Sequence, residues 1–351
     1  MIRLGILGCG RIVKNRYVDV LKNEVSNVKV AIVCDLIKEK ADLISNLLNC
    51  KASYKEEELI SSNDVDVILI CTESGKHYQH ALAGLEAGKH IIIEKPPALL
   101  PKEVCELEKI AKYKNLMYAV IFQNRFNPSI IKLKENYEKK RFGKIILATI
   151  RLRWCRYQDY YNDGWHGTWK MDGGVISQQA IHHIDVLQWI CGQIDEVCSA
   201  TGNMVNKLEA EDTMTALAKF KSGALGVIEA TTAARPDDFE ASLSIVGEKG
   251  MVEIGGIALN EIKTWKFIHP IPEDRDIPSL FSTNVPTGYG LSHGPLLQEI
   301  INRLERKEIE APISGLDSLP TVSLVHALYS SDEHHSWIKL DNNPLSERLG
   351  K

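Results

Sequence analysis

The chain has no apolar run approaching the ~18 residues of a membrane-spanning helix, so a bilayer span is not expected. Basic residues are not in excess. A net charge of −4 and a pI near 6.3 give no electrostatic footprint for nucleic acid or an anionic membrane. Eight cysteines are scattered without a C-x-x-C pair, and Cys34 and Cys71 lie in apolar runs as buried free thiols do. Reduced cysteines in a cytoplasmic protein are therefore expected. Ile6-Leu7-Gly8-Cys9 has the outline of a lipoprotein cleavage box, but the residues before it form no apolar signal region. No H-x-x-x-H or H-E-x-x-H pattern is present, and adjacent His182 and His183 would point about 100° apart on a helix, so no metal is expected. There is no solenoid-period repeat and no Ser/Gly-rich linker. What remains is a 351-residue chain with 44% hydrophobic and 25% charged residues, long enough for two domains with ample core.

Residues 1–121 alternate strand and helix at short period. Ile2 to Leu7, Val28 to Cys34, Val65 to Cys71, His90 to Glu94 and Met117 to Ile121 are β-branched and mostly continuous in apolarity, as in a parallel sheet covered on both faces. Helical patterns at Ile12 to Glu24, Lys38 to Leu48, His77 to Ala87 and Lys102 to Tyr113 separate them. That alternation predicts an α/β, doubly wound Rossmann-type domain. The pattern changes over 122–351. After a helix at Ser129 to Glu138, extended segments dominate: Ile145 to Arg156, Glu196 to Val205, Thr213 to Phe220, Ala224 to Thr232, Ala241 to Val246 and Gly250 to Ile254. A second α/β domain with a large, mostly antiparallel open sheet is expected. It would hold one helix near residues 175–190 and two more at Pro295 to Arg306 and Leu316 to Ser331.

Gly8-Cys9-Gly10-Arg11-Ile12 follows the first strand and opens the first helix. Gly8 permits the tight turn, and Gly10 lets the backbone approach a pyrophosphate at the helix start. Val13 occupies the third small position of the fingerprint. Asp35 ends the second strand, where a carboxylate accepts from the ribose hydroxyls and repels a 2′-phosphate. Leu36 and Ile37 follow, with no arginine to receive that phosphate. NAD, rather than NADP, is the expected cofactor.

His90-Ile91-Ile92-Ile93-Glu94-Lys95-Pro96-Pro97 is a buried-strand pattern ending in a carboxylate, an amine and two prolines. Ligands of parallel sheets bind outside the carboxyl ends of the strands, and Lys95 stands one step past such an end. A general acid or base belongs there.

These elements, with Cys71-Thr72, His77, Ala87-Gly88-Lys89-His90, Asn124-Arg125-Phe126 and Gly173-Gly174 through Asp185, resemble the Gfo/Idh/MocA family of sugar and cyclitol dehydrogenases over about 180 residues. The resemblance implies a Rossmann domain followed by a substrate-binding domain used for oligomer contacts, giving a homodimer or homotetramer. It implies cofactor contacts at Gly8, Gly10, Arg11, Ile12, Asp35, Thr72, His77, Glu94, Lys95, Asn124, Trp165 and Gln178. It also implies a cis bond beside Lys95, and Lys95 near the reacting hydroxyl. Arg156 to Tyr161, Trp165 to Trp169, Leu187-Gln188-Trp189 and Gly288 to Pro295 further resemble a branch of UDP-N-acetylglucosamine and UDP-N-acetylglucosaminuronate 3-dehydrogenases that serve surface-polysaccharide biosynthesis.

Taken as one helix from Gln178 to Cys191, the segment places Ala180, Ile184, Leu187 and Cys191 on one stripe and Gln178, His182, Asp185 and Trp189 opposite. An ordinary surface helix would carry Lys and Glu there. His182 and Asp185 are spaced to act together, and His182 titrates near neutrality. Family position gives His182 a catalytic role with Lys95. Most of the family has aspartate where Gln178 stands, and an amide orients but does not accept a proton. Proton transfer therefore moves toward Lys95 and His182. Arg16 stands where the branch often has histidine. Arg153, Arg156 and Tyr161 suit a UDP moiety through bidentate phosphate bonds and stacking, or are simply polar strand-end residues. Tyr289 and His293, before a helix start that favours anions, are further substrate candidates, together with Lys95, Gln178 and His182.

The reading is NAD-dependent oxidation of a secondary hydroxyl, at C3, of a UDP-linked N-acetylated sugar or uronate. The alternatives are a free-sugar or inositol dehydrogenase and a non-catalytic NAD-binding protein of the same fold.

Overall fold

The computed structural model describes all 351 residues. The chain forms two compact units: Met1–Phe122 with Ser292–Leu319, and Gln123–Leu291 with Pro320–Lys351. A second domain running unbroken from 122 to 351 was the expectation. Instead, residues 292–319 return to the first unit.

In the first unit, β1 (Ile2–Leu7), β2 (Val28–Cys34), β3 (Lys51–Ser53), β4 (Val67–Ile70), β5 (His90–Ile93) and β6 (Tyr118–Val120) form a parallel sheet in the order β3-β2-β1-β4-β5-β6. That order belongs to doubly wound dinucleotide-binding sheets, whose switch point lies between β1 and β4. The central strands are apolar throughout because helices cover both faces: Val67 to Ile70 and Ile91 to Ile93 are fully buried. α1 (Lys38–Leu48), α2 (Glu56–Ile60), α3 (His77–Glu86) and α4 (Pro101–Tyr113) supply that cover. Gly84 of α3 lies so close to Ile91 that a Cβ there would come within 2.6 Å of its Cδ1. The expected first helix is wound wide. Its residues Val13–Tyr17 and Val20–Glu24 are π-helical, with Val18 N–H bonding Val13 O and Val25 N–H bonding Val20 O. Sequence reading missed β3, a three-residue strand with one buried side chain, and the single-turn α2.

The second unit contains α5 (Pro128–Glu138), β7 (Ile145–Arg153), α6 (Val175–Gln178), α7 (Ile181–Cys191), β8 (Ile194–Gly202), β9 (Thr213–Phe220), β10 (Leu225–Thr231), β11 (Glu240–Gly247), β12 (Gly250–Gly255), β13 (Glu261–Phe267) and α8 (Ile277–Phe281). Returning to the first unit, the chain forms α9 (His293–Glu305), and α10 (Gly315–His334) spans the next crossing. β14 (Ile338–Lys339) completes the order β13-β12-β11-β7-β10-β9-β8-β14. Only the β7–β10 pair is parallel. Alternation is regular: Met214, Ala216, Ala218 and Phe220 are buried, while Thr215, Leu217 and Lys219 are exposed. Ser199 and Thr201 of β8 bond Ser331 and Asp332 of α10, which covers that part of the inner face. No helix is long and apolar enough to cross a membrane.

Candidate functional site

In the first unit, Gly8 has φ +92°, and a Cβ there would meet Cys71 O at 2.6 Å and Thr72 N at 2.9 Å. Only glycine fits that turn. A Cβ on Gly10 would meet no protein atom within 4 Å, so the backbone borders open space where a pyrophosphate would lie. Arg11 and Ile12 follow at the helix start, exposed and half-buried respectively. Asp35 holds the turn from the β2 end: Cys9 N–H donates to its Oδ2 and Ile37 N–H to its Oδ1, both at 2.8 Å. Leu36 and Ile37 are exposed beside it, with no guanidinium. These residues fit a dinucleotide bearing free ribose hydroxyls.

Three strands on, Glu94 is buried at the β5 end and Lys95 is half-buried. The Lys95–Pro96 bond is cis, as the resemblance implies. Lys95 N–H donates to Glu94 Oε2 (3.3 Å), and Tyr17 Oη donates to Glu94 Oε1 (2.7 Å). Burial raises the Glu94 carboxyl above the usual range, while Lys95 and the Tyr17 bond pull it back. His77 lies between two carbonyls, Nδ1 at 2.6 Å from Pro96 O and Nε2 at 3.0 Å from Thr72 O. Only an imidazolium donates to both. Burial lowers the ring to about 4, so near neutrality it donates to one of them.

His293 is the surprise of this unit. Rather than lying on a loop, it is the first residue of α9, only 2% exposed, with its ring edge-on to Tyr17 at 5.6 Å and its Nε2 4.0 Å from Glu94 Oε1. Burial, then Arg16 and Lys95, lower it to about 3, so it is neutral. Arg16 is ion-paired with Glu24 at 2.5 Å. Tyr17 was missed in the sequence because nothing local marks it; its role comes from a contact 77 positions away.

The second unit gathers the other candidates. Asn124 and Arg125 are buried in the turn before α5. The single helix expected from Gln178 to Cys191 breaks at Gln179–Ala180, where Ala180 N–H reaches back to Val175 O. Gln178 ends α6, while His182 lies in the first turn of α7, so they do not share one continuous face. Within α7 the two faces remain opposed, His182, Asp185 and Trp189 against Ile184, Leu187 and Cys191, and both are packed away from solvent, with only Trp189 half-buried. Asp185 is not the partner of His182. Its two oxygens accept from Arg125 Nε (2.7 Å) and Nη2 (2.6 Å), with Thr321 Oγ1 adding a third bond at 2.9 Å. Gln178 Nε2 donates to Asp172 Oδ1 at 2.6 Å, and Asp172 is 1% exposed. A carboxylate thus stands one hydrogen bond behind the amide at 178, a residue the sequence reading overlooked.

Of the two roles open to Arg153, phosphate ligand or polar strand-end residue, its contacts fit the second. Its Nε and Nη2 bond Glu229 on β10 and its Nη1 bonds Glu240 on β11, so its fork ties three strands together. Arg156 bonds Asp238 (2.8 Å) and lies over Trp154 and Tyr160. Tyr161 is buried with its hydroxyl 2.7 Å from Thr232 Oγ1, and burial raises it to about 12. Trp165 stacks on His166 at 3.6 Å, and Tyr161, His166, Asn206 and Lys207 help line a cleft of about 630 Å³. Tyr289 is half-buried on the loop before Leu291.

Glu211 is also buried, accepting from Tyr329 Oη and Ile176 N at the α6 start. Burial raises it to about 8 against those bonds. With its folded pKa above the unfolded one, its protonated form stabilises the fold at low pH, and that contribution disappears as pH rises toward and through 8. We expect the urea midpoint to fall between about pH 5 and about pH 8, and to fall less in Glu211→Gln. Equal slopes in the two proteins would remove Glu211 as the cause.

A glycine turn, a strand-end aspartate and a doubly wound sheet define an NAD-binding oxidoreductase domain. Residues 2–122 match the NAD-binding Rossmann domain of the Gfo/Idh/MocA oxidoreductases, and 130–253 match the GFO/IDH/MocA C-terminal domain. The chain belongs to this family. It is similar to the WlbA dehydrogenase of Bordetella pertussis, solved with NADH and UDP-GlcNAcA: 31% identity, TM-score 0.89, covering 96% of this chain and 97% of that one. The Chromobacterium violaceum WlbA dehydrogenase, solved with the same ligands, gives 30% identity and TM-score 0.89 over 96% and 95%. Myo-inositol 2-dehydrogenase of Thermotoga maritima is 27% identical over 259 residues, 72% of this chain and 74% of that protein.

Proposed function

We propose that this protein oxidises a secondary hydroxyl, at C3, of a UDP-linked N-acetylated sugar or its uronate in surface-polysaccharide biosynthesis. The observation that carries the reading is similarity of 30–31% across nearly the whole chain to two dehydrogenases solved with NADH and UDP-GlcNAcA. Bound NAD⁺ supplies the hydride acceptor. Gly8 and Gly10 seat the pyrophosphate, and Asp35 accepts from the adenosine ribose. Lys95, at the β5 end, takes the proton of the reacting hydroxyl and polarises the developing ketone. His182 is the second proton carrier, and Gln178, held by Asp172, orients a hydroxyl or the cofactor carboxamide. Arg156 and Tyr289 are the remaining polar candidates for the nucleotide.

The inositol dehydrogenases among the sequence relatives favour a rival, a free cyclitol or sugar substrate. NADH formation measured side by side with UDP-GlcNAcA, UDP-GlcNAc, glucose and myo-inositol separates the two. Turnover confined to myo-inositol or glucose would overturn the sugar-nucleotide reading.

We further propose a homodimer or homotetramer. On the open face of the second sheet, Met251, Val246, Leu147 and Leu225 form one exposed apolar row across β12, β11, β7 and β10. The Arg151/Arg153–Glu229/Glu240 ion pairs lie farther along the same strands. Such a face is self-complementary across a two-fold axis. Leu225→Asp is expected to convert the oligomer to a smaller species in light scattering; an unchanged mass would exclude this face.

A further inference from the structure

Thr72 stands two residues beyond β4, at the carboxyl end of a central strand and against the Gly8 turn. Its Oγ1 is 2.9 Å from His80 Nδ1 on α3, and His80 Nε2 is 2.8 Å from Glu56 Oε2 on α2. Three elements thus meet in a line running from the cofactor turn outward. The Glu56 carboxylate only accepts, so Nε2 carries a proton. In a neutral ring Nδ1 is then an acceptor, and the Thr72 hydroxyl is the group that donates to it. With its hydrogen directed inward, Thr72 Oγ1 offers lone pairs on its other side. A pyrophosphate oxygen, itself an acceptor, is not matched to that atom; a ribose hydroxyl is.

We infer that Glu56 and His80 are positioning residues that fix the Thr72 hydroxyl as an acceptor for a ribose hydroxyl of the bound dinucleotide. When His80 takes a second proton, Nδ1–H donates to Thr72 Oγ1 and competes for the lone pair. Cofactor affinity therefore falls with acid. The groups facing His80 are Glu56 on α2, Glu73 and Lys76 in the turn before α3, and His77 on α3 itself. Burial lowers His80 most, Lys76 adds to that, and Glu56 and Glu73 oppose it. The neutral ring thus prevails near neutrality.

The test needs only the cofactor and is independent of the sugar. NAD⁺ is titrated calorimetrically into the full-length protein. Thr72→Val and His80→Asn are expected to raise Kd about fivefold to tenfold, and Thr72→Ser to stay within about twofold. From about pH 7 to about pH 5 the wild-type Kd rises, whereas that of His80→Asn is flat. Thermal melts of cofactor-free variants check folding. An unchanged Kd in Thr72→Val, or the wild-type acid slope persisting in His80→Asn, overturns the relay. A purely structural His80 would raise Kd without changing the slope, and that outcome overturns it as well.

Discussion

Replacing Lys95 with alanine is expected to lower kcat for NADH formation by at least about 10³-fold while leaving the NAD⁺ Kd within about twofold. The amine stands at the end of β5 on backbone held from two sides, by Glu94 accepting from its N–H and by His77 contacting Pro96 O. Neither tie uses the ammonium group, so both survive its removal. The cofactor turn at Gly8 and Asp35 is built from other strands. What is lost is the acceptor for the hydroxyl proton that leaves with the hydride. Lys95→Arg is expected to fail as well, since a guanidinium does not give up its proton in a protein. Added alkylamines should restore part of the rate in Lys95→Ala, and more so as pH rises toward their pKa values. Full turnover in the alanine variant would end the assignment.

Asp185→Ala is expected to destabilise the second unit by about 3–5 kcal/mol, a fall of roughly 10 °C in Tm. Removing the carboxylate takes the bidentate anionic partner from the Arg125 guanidinium, which is 8% exposed, and leaves Thr321 Oγ1 without its acceptor. A paired replacement, Arg125→Met with Asp185→Leu, should recover much of the loss, because two apolar groups leave no buried charge behind. If the single variant melts like the wild type, the pair is not holding α7 to the Asn124–Arg125 turn. The same variant separates structure from chemistry: a group acting through His182 would change the pH profile, not the melting temperature.

The first unit was largely legible because its signals are local. Gly8, Asp35 and Lys95 each sit at a strand end recognisable from a few neighbours, and five of six strands announced themselves by apolar runs. The contacts that give these residues their environment were not legible. Tyr17 and His293 reach Glu94 from 77 and 199 positions away, and no periodicity encodes such encounters. In the second unit, the helix break at Gln179–Ala180 carries no glycine or proline to mark it. Helical spacing therefore paired His182 with Asp185, when Asp185 belongs to Arg125. Arg153 could not be assigned between ligand and strand-end roles, because a strand arginine looks the same whether it meets phosphate or Glu229 on the next strand. β13 went unseen since its polar residues Glu261, Lys263 and Lys266 dilute the apolar alternation.

The return of residues 292–319 has a consequence for biosynthesis. β6 is the edge of the Rossmann sheet, and its Val120 N–H is received by Ile313 O, with Ala119 bridging Ser314. During translation that edge emerges long before the residues that cover it, and His293 reaches Glu94 equally late. The N-terminal domain therefore cannot be finished first, as domains made in order usually are. A ribosome-bound nascent chain ending before residue 313 should carry an open strand edge, the kind of surface that recruits chaperones or pairs with the wrong neighbour.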